Sequence, residues 1–350
     1  MRLKRVISLL LCLVMVISVS AGCSAKPAPT EPVAQEPAKI SYPERNLQGI
    51  ITWGAGGSTD NFARAITPSV EKTLGKSIVL QNQPGANGSI ATKAVYDKPA
   101  DGYTILYGAE NACSYKVMEQ SDIDYEDFIP INLVGRGISV VIVPPDSPYK
   151  TMTDLVEAAK AKPGKIKMAS TGPGGLTYIV TSMVNDVNGI EFNSVPFDGE
   201  GPAAVAMIGG HADVSILSLT SFGELYKAGK VRPLCAISDE PIPGMPEIPL
   251  VIDEYPEYKK VLPWGPFYCV FVKKDTPKEI VDILTDAYMK AYKEDSFQQF
   301  LANLGTVPMG LTGDEAAKYI KDFKKVTSWL LYKAGAAKVN PEDIGIEKME

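Results

Sequence analysis

The sequence predicts an α/β protein built on mainly parallel sheets, and two observations carry that expectation. A unit of strand, glycine-rich turn, helix and strand recurs at the spacing of parallel α/β architecture. Past an N-terminal stretch that cannot form core, about 300 residues remain, which favours two domains of ordinary size. A third observation bears on their arrangement: the glycine-rich turn Gly54 to Asp60 has a near copy at Ser170 to Thr177.

The first unit opens with the apolar run Ile50-Ile51-Thr52-Trp53, which enters Gly54-Ala-Gly-Gly-Ser-Thr-Asp60. A helix follows, its stripe given by Phe62, Ile66, Val70 and Leu74 at spacings of four. Ser58 or Thr59 is placed to cap it, Asp60 suits its first turn, Gly75 ends it, and Pro68 should kink it. Next come the strand Ser77 to Gln81, a second turn from Asn82 to Gly88, a helix from Ser89 to about Tyr96, and the strand Tyr103 to Tyr107. A turn of the first kind leaves the opening N–H groups of its helix without acceptors, at the positive end of the helix dipole. That is an anion site made of backbone alone, since the loop holds no lysine or arginine. Gly54-x-Gly56-x-x-Thr59 lacks the third glycine of a dinucleotide fingerprint, and no Gly-Lys-Ser/Thr follows as in a phosphate-binding loop, so both nucleotide readings are weak.

The second unit repeats the pattern. Val140 to Val143 is strongly β, Thr153-Asp154 caps a helix to about Ala161, and Pro163-Gly164 breaks it. The strand Lys165 to Ser170 then enters Thr171-Gly-Pro-Gly-Gly-Leu-Thr177, where Thr177 can cap a helix carried by Ile179, Val180, Met183, Val184 and Val187. Two readings stand for the loop pair: a recurrence inherent in α/β architecture, or matching loops of two similar lobes facing across a cleft. The second requires the chain to cross between lobes, and Val140 to Val143 and Phe267 to Val272 are placed to do so. Asp198 and Asp213 fall near such a cleft, each equally explained as a turn or helix cap.

The first 43 residues have another purpose. Arg2, Lys4 and Arg5 precede an almost wholly apolar stretch to Val19 and the small residues Ser20-Ala21-Gly22 before Cys23, the pattern of a secretion signal. The cysteine in that context resembles a bacterial lipobox, which implies lipidation at Cys23; an ordinary signal peptide with an incidental cysteine is the alternative. Residues 24–43 hold five prolines with no apolar periodicity and read as a tether. Loss of the signal removes three positive charges and no negative ones, taking the formal charge from −6 to −9. An acidic body is a poor partner for nucleic acid and supplies no global field for an anionic ligand. Cys113, Cys235 and Cys269 lack metal-type spacing and sit as buried free thiols, a single disulfide being the alternative.

In order and spacing, six segments resemble one family, the extracytoplasmic solute receptors of tripartite tricarboxylate transporters, also called Bug receptors. They are Ala55-Gly-Gly-Ser-Thr-Asp60, Asn82-x-Pro-Gly-Ala-x-Gly88, Pro99-x-Asp-Gly-Tyr-Thr104, Pro163-Gly-Lys165, Val195-Pro-Phe-x-Gly199 with Pro202-Ala203, and Gly209-Gly-His-Ala-Asp213. The resemblance runs from about Tyr42 to Phe323. It implies a type II periplasmic-binding-protein fold, two Rossmann-like lobes joined by two crossing strands, with lobe 1 at 44–142 plus 268–350 and lobe 2 at 143–267. It implies a receptor, without cofactor or metal, that closes on a di- or tricarboxylate or an aromatic acid and delivers it to the transporter's membrane subunits. The chain would be an extracytoplasmic, lipid-anchored monomer. Carried over residue by residue, the ligand contacts are Ala55, Gly57, Ser58, Thr59 and Asp60 in one lobe, with Asn87. In the other they are Ser170, Gly172, Gly174, Gly175 and Thr177, with Asp198. Tyr178 stands where the family usually has histidine, and a phenol brings no positive charge there.

Catalysis has little to work with. The single histidine, His211, follows Gly209-Gly210 and reads as a solvated turn residue. No Gly-x-Ser-x-Gly elbow occurs. The competing reading is a secreted, lipid-anchored α/β hydrolase that uses carboxylates, since acidic residues are plentiful.

Overall fold

The computed structural model describes residues 40–348, save 243 and 263. The signal peptide, Cys23 and the tether up to residue 39 lie outside the described residues.

Two sheets form the body. The first has six strands in the order β11-β4-β10-β3-β1-β2: β1 (Leu47–Ile51), β2 (Ile78–Asn82), β3 (Thr104–Gly108), β4 (Phe128–Arg136), β10 (Phe267–Lys273) and β11 (Val307–Leu311). The second has five in the order β7-β6-β8-β5-β9: β5 (Ser139–Val143), β6 (Lys167–Ser170), β7 (Asn193–Pro196), β8 (Val214–Ser218) and β9 (Arg232–Ile237). Each sheet holds a parallel trio, β2-β1-β3 and β7-β6-β8. In each the trio continues into an antiparallel strand, β10 in one and β5 in the other. The matching orders make the two glycine-rich loops equivalent, since each follows the central strand of its trio, β1 or β6.

The helices of two turns or more are α1 (Ser58–Leu74), α2 (Ser89–Tyr96), α3 (Met152–Ala161), α4 (Leu176–Asn188), α5 (Glu200–Ile208), α6 (Leu219–Lys227), α7 (Lys278–Tyr292), α8 (Asp295–Asn303) and α9 (Gly313–Lys333). Helix α1 buries Phe62, Ile66 and Val70 against Ile51, Tyr107, Tyr268 and Tyr288. Removing such side chains from water contributes roughly 1.5–3 kcal/mol each. The helix continues uninterrupted through Pro68 and ends at Gly75, whose φ of 67° supplies the left-handed cap.

Two sequence expectations need correction. Val140 to Val143 and Phe267 to Val272 do not themselves cross between lobes. The first lies inside the second sheet, with Val140 opposite Leu217 and Ala236. The second lies inside the first sheet between β3 and β4. The crossings are the short segments beside them, and they touch. Gly137 N–H donates to Pro266 O at 2.7 Å. A Cβ on Gly265 would lie 2.2 Å from Gly137 O, so only glycine permits this approach. The first lobe thus ends near Gly137 rather than residue 142. Helix α9 then packs on β4 and extends to α4 of the second lobe.

The other correction concerns the caps. Neither Ser58 nor Thr59 caps α1; Gly57 does, in extended conformation and with no side-chain bond. Thr177 does not cap α4 either, because Gly175 takes that place. Both hydroxyls have stronger claims elsewhere. Ser58 Oγ donates to Glu200, and Thr177 Oγ donates to Ile216 O at 3.0 Å.

Candidate functional site

The starts of α1 and α4 converge on one small chamber between the sheets. Its walls include Trp53, Gly57, Ser58 and Thr59 from the first loop, and Thr171 and Leu176 from the second. Ala109 and Glu110 join them from beyond β3, Glu200 from the start of α5, and Pro266 from the return crossing. The chamber volume is ≈ 10 Å³, about what one water molecule requires. Outside it lies an open groove of ≈ 640 Å³ lined by Gly54, Asn87, Gly172, Pro196, Asp198 and others, with Thr171 common to both.

Each loop is gripped by the opposite lobe. On the first, Gly54 N–H donates to Asp198 O at 3.1 Å, and Ser58 Oγ bonds Glu200. On the second, Ser114 Oγ donates to Gly174 O at 2.7 Å, and Gln120 Nε2 bonds Pro173 O. The loops leave little room for side chains. A Cβ on Gly175 would sit 2.5 Å from Thr171 Oγ1, and Gly174 has φ +81° with Ser114 Oγ 2.7 Å from its would-be Cβ.

The two glutamates differ in their surroundings. Glu200 is saturated: Oε1 accepts Ser218 N–H at 2.6 Å, while Oε2 takes the hydroxyls of Ser218 at 2.9 Å, Ser221 at 2.8 Å and Ser58. Glu110, only 1% exposed, faces backbone N–H groups, its own and that of Leu176. Burial and the neighbouring Glu200 push its pKa up to about 8, against the pull of those N–H groups.

The sequence-chosen residues divide between chamber, groove and support. Gly57, Ser58 and Thr59 line the chamber; Asn87, Gly172 and Asp198 line the groove. Gly174 and Gly175 shape the second loop, Gly175 as the cap residue of α4. Ala55 is exposed on the outer side of its loop, beside Pro202 and Val205. Asp60 braces its loop, accepting from Gly56 N–H at 3.0 Å, Asn82 Nδ2 at 3.0 Å and Arg64 Nε at 2.9 Å. Burial raises the Asp60 carboxyl's pKa, but those bonds outweigh it and hold it below the usual value. Thr177 N–H is taken by Thr171 Oγ1 at 3.1 Å, and Ser170 is buried beneath the loop. Half-buried Tyr178 packs against the core, outside the residues lining chamber and groove. Sequence reasoning missed Glu110 and Glu200. Glu110 sits two residues past the carboxyl end of β3, where open α/β sheets place their ligands, and that rule could have flagged it.

No group of residues suited to holding a metal ion occurs among those described. No described helix is long and apolar enough to cross a membrane. Two like lobes, their matching loops facing one chamber, define a two-lobed periplasmic binding protein. The chain belongs to the tripartite tricarboxylate transporter family receptors, whose family model matches residues 62–335. It is 29% identical to the Bordetella pertussis protein BugT over 81% of this chain and 87% of that one. The structure of the periplasmic binding protein BugD matches with a TM-score of 0.80 at 26% identity, over 85% of this chain and 99% of that chain. MatC from Rhodopseudomonas palustris, solved with bound malate, matches with a TM-score of 0.75 at 23% identity, over 84% of this chain and all of that one. At that identity the likeness speaks for the fold alone. The family's members are receptors, which removes the hydrolase reading.

Proposed function

We propose that this receptor closes its two lobes on a small carboxylate and presents it to the membrane subunits of a tripartite tricarboxylate-type transporter. The observation that carries the reading is the pair of helix starts, α1 and α4, that face one chamber from opposite lobes without side-chain caps. The first N–H groups of α1 offer a carboxylate the donors a cap would otherwise consume, while α4, whose Leu176 N–H faces Glu110 and whose Thr177 N–H is taken by Thr171 Oγ1, contributes its dipole. A carboxylate end in the chamber leaves the rest of the solute pointing into the groove. Gly57, Ser58, Thr59, Leu176 and Thr171 are the contacts this places first, with Asn87, Gly172 and Asp198 along the remainder. We further propose that the protein is an extracytoplasmic monomer, held to the membrane by lipid on Cys23 through its proline-rich tether.

Titration calorimetry and thermal shift against a panel of carboxylates test this. A true ligand at a hundredfold over Kd stabilises by about 2.7 kcal/mol. Ser58→Pro removes one N–H at the first helical position of α1, where proline's φ is tolerated, and Ser58→Ala controls for the lost side chain. The proline variant should bind at least tenfold more weakly than the alanine variant. A panel without any stabilising carboxylate, or equal affinities in the two variants, overturns the proposal.

A further inference from the structure

We infer that closing the lobes takes up one proton, and that Glu110 is the residue that holds it while they are shut. This rests on the proposal that the lobes part and close around a solute, and it is independent of which solute that is.

The chamber brings two acids from opposite lobes into one small space. Glu110 comes from the segment after β3 in the first lobe and Glu200 from the start of α5 in the second, and both line the walls. Among the described residues, no lysine, arginine or histidine lines those walls. Both acids are buried, Glu110 at 1% exposure and Glu200 at 6%. Two like charges facing each other away from water are costly, so one of the acids must be neutral. Hydrogen bonding decides which. Glu200 collects Ser218 N–H and the hydroxyls of Ser58, Ser218 and Ser221, a set of donors that suits an acceptor-only carboxylate. Glu110 faces backbone N–H groups, its own and that of Leu176, which belongs to the opposite lobe. The proton therefore belongs to Glu110.

Parting the lobes removes the causes of that neutrality. Thr171, Leu176 and Glu200 are the second lobe's share of the walls, so opening wets Glu110 and carries Glu200 away. In the closed protein, burial and then Glu200 push Glu110 up to about 8; open to water, it returns towards an ordinary 4.5. Between those values the open protein carries a carboxylate where the closed one carries an acid. Each closure then draws a proton from the buffer, and each opening returns it. The other titratable groups nearby stay out of this exchange. Cys113 and Tyr115 lie on the same segment and Tyr125 on the next, and burial raises all three, which remain neutral. Lys324 acts on Cys113 from α9. Burial lowers the Lys324 pKa, but Asp124 and Glu126 outweigh that and keep it charged.

Amide hydrogen exchange on solute-free wild type and Glu110→Gln tests this. Gly54 N–H donates to Asp198 O of the opposite lobe at 3.1 Å, so its exchange reports the parting of the lobes even where that is rare. Ile179 N–H, bonded to Gly175 O within the second lobe, is the control. After correction for the intrinsic exchange rate, opening at Gly54 should grow roughly fiftyfold from pH 6 to pH 8, for a carboxyl that passes from about 8 to 4.5. Glu110→Gln keeps the shape and an acceptor oxygen but cannot ionise, so its opening should be flat over the same range. Wild-type opening that ignores pH overturns the inference and leaves the carboxylate reading intact. A slope that survives in Glu110→Gln, or that appears equally at Ile179, overturns it as well. If Gly54 exchanges only by global unfolding at every pH, the lobes do not part, and the inference falls together with the reading beneath it.

Discussion

Removing one hydroxyl, in Ser58→Ala, should loosen the closed arrangement without touching the backbone cradle. Ser58 Oγ reaches across the cleft to Glu200, while Ser58 N–H belongs to the start of α1 and survives the substitution. A hydrogen bond to a charged group is worth about 1.5–3 kcal/mol net. Glu200 would keep three donors from its own lobe, Ser218 N–H, Ser218 Oγ and Ser221 Oγ, so no stranded charge adds to the loss. That places the effect near the lower figure, about 1.5 kcal/mol, or roughly tenfold in the closure equilibrium. Small-angle scattering should show a larger mean radius of gyration, and calorimetry a solute affinity weaker by about the same factor. Ser221→Ala is the control, since it removes a donor to the same oxygen from within the second lobe. Should Ser58→Ala match wild type in both measurements, or Ser221→Ala open the protein equally, the interlobe bond is not what holds the lobes together.

Other perturbations follow from the same geometry. Glu110, with its pKa pushed from an ordinary 4.5 up to about 8, holds its proton in the folded protein after the unfolded chain has lost it. Its contribution to stability therefore falls as pH rises between those values. Glu110→Gln should raise the melting temperature at pH 8 and leave it nearly unchanged at pH 4; parallel profiles for the two proteins would refute the assignment. The buried Asp124 carboxylate lies 2.7 Å from Lys324 and 3.0 Å from Lys116. Burial raises its pKa, but these lysines outweigh that and hold it below the usual value. The stability it contributes is present above the unfolded pKa and lost as pH falls through the folded one. Lys324→Met should cost about 2 kcal/mol at pH 7 in urea unfolding, because Lys116 remains, and the deficit should shrink as pH falls below the ordinary carboxylate range. Cys113, Cys235 and Cys269 are free and buried, and burial raises each thiol. A thiol reagent should label none of them in native protein and all three in denaturant; rapid native labelling would contradict the packing.

Much of the fold was legible because its signals are local. Glycine-rich turns, four-residue apolar spacing and left-handed caps such as Gly75 depend on neighbours in sequence, and the structure places them where the pattern does. The chamber was half legible. Its loops announce themselves, but Glu110 and Glu200 are ordinary acids until the sheets bring them together. Capping failed for a related reason: Ser58 has the right place and chemistry to cap α1, and only the opposite lobe offers it a better acceptor. The crossings were misplaced because a buried β run reads the same inside a sheet as between two. What fixes the crossing is the contact of Gly137 with Gly265, two glycines far apart in sequence.

Were the lobes to swing about that contact, it would set how the cleft gapes. Pro266 both accepts the Gly137 N–H and forms part of the chamber wall, so the fulcrum and the chamber are adjacent. Under rotation about a fulcrum, a point moves in proportion to its distance from it. A given swing therefore displaces the chamber walls least and the outer groove, at Asn87 and Asp198, most. The head of a solute is then gauged against nearly fixed surfaces, while its tail meets walls whose separation adjusts to what lies between them. A receptor hinged there would discriminate strictly at one end of its ligand and tolerate variety at the other.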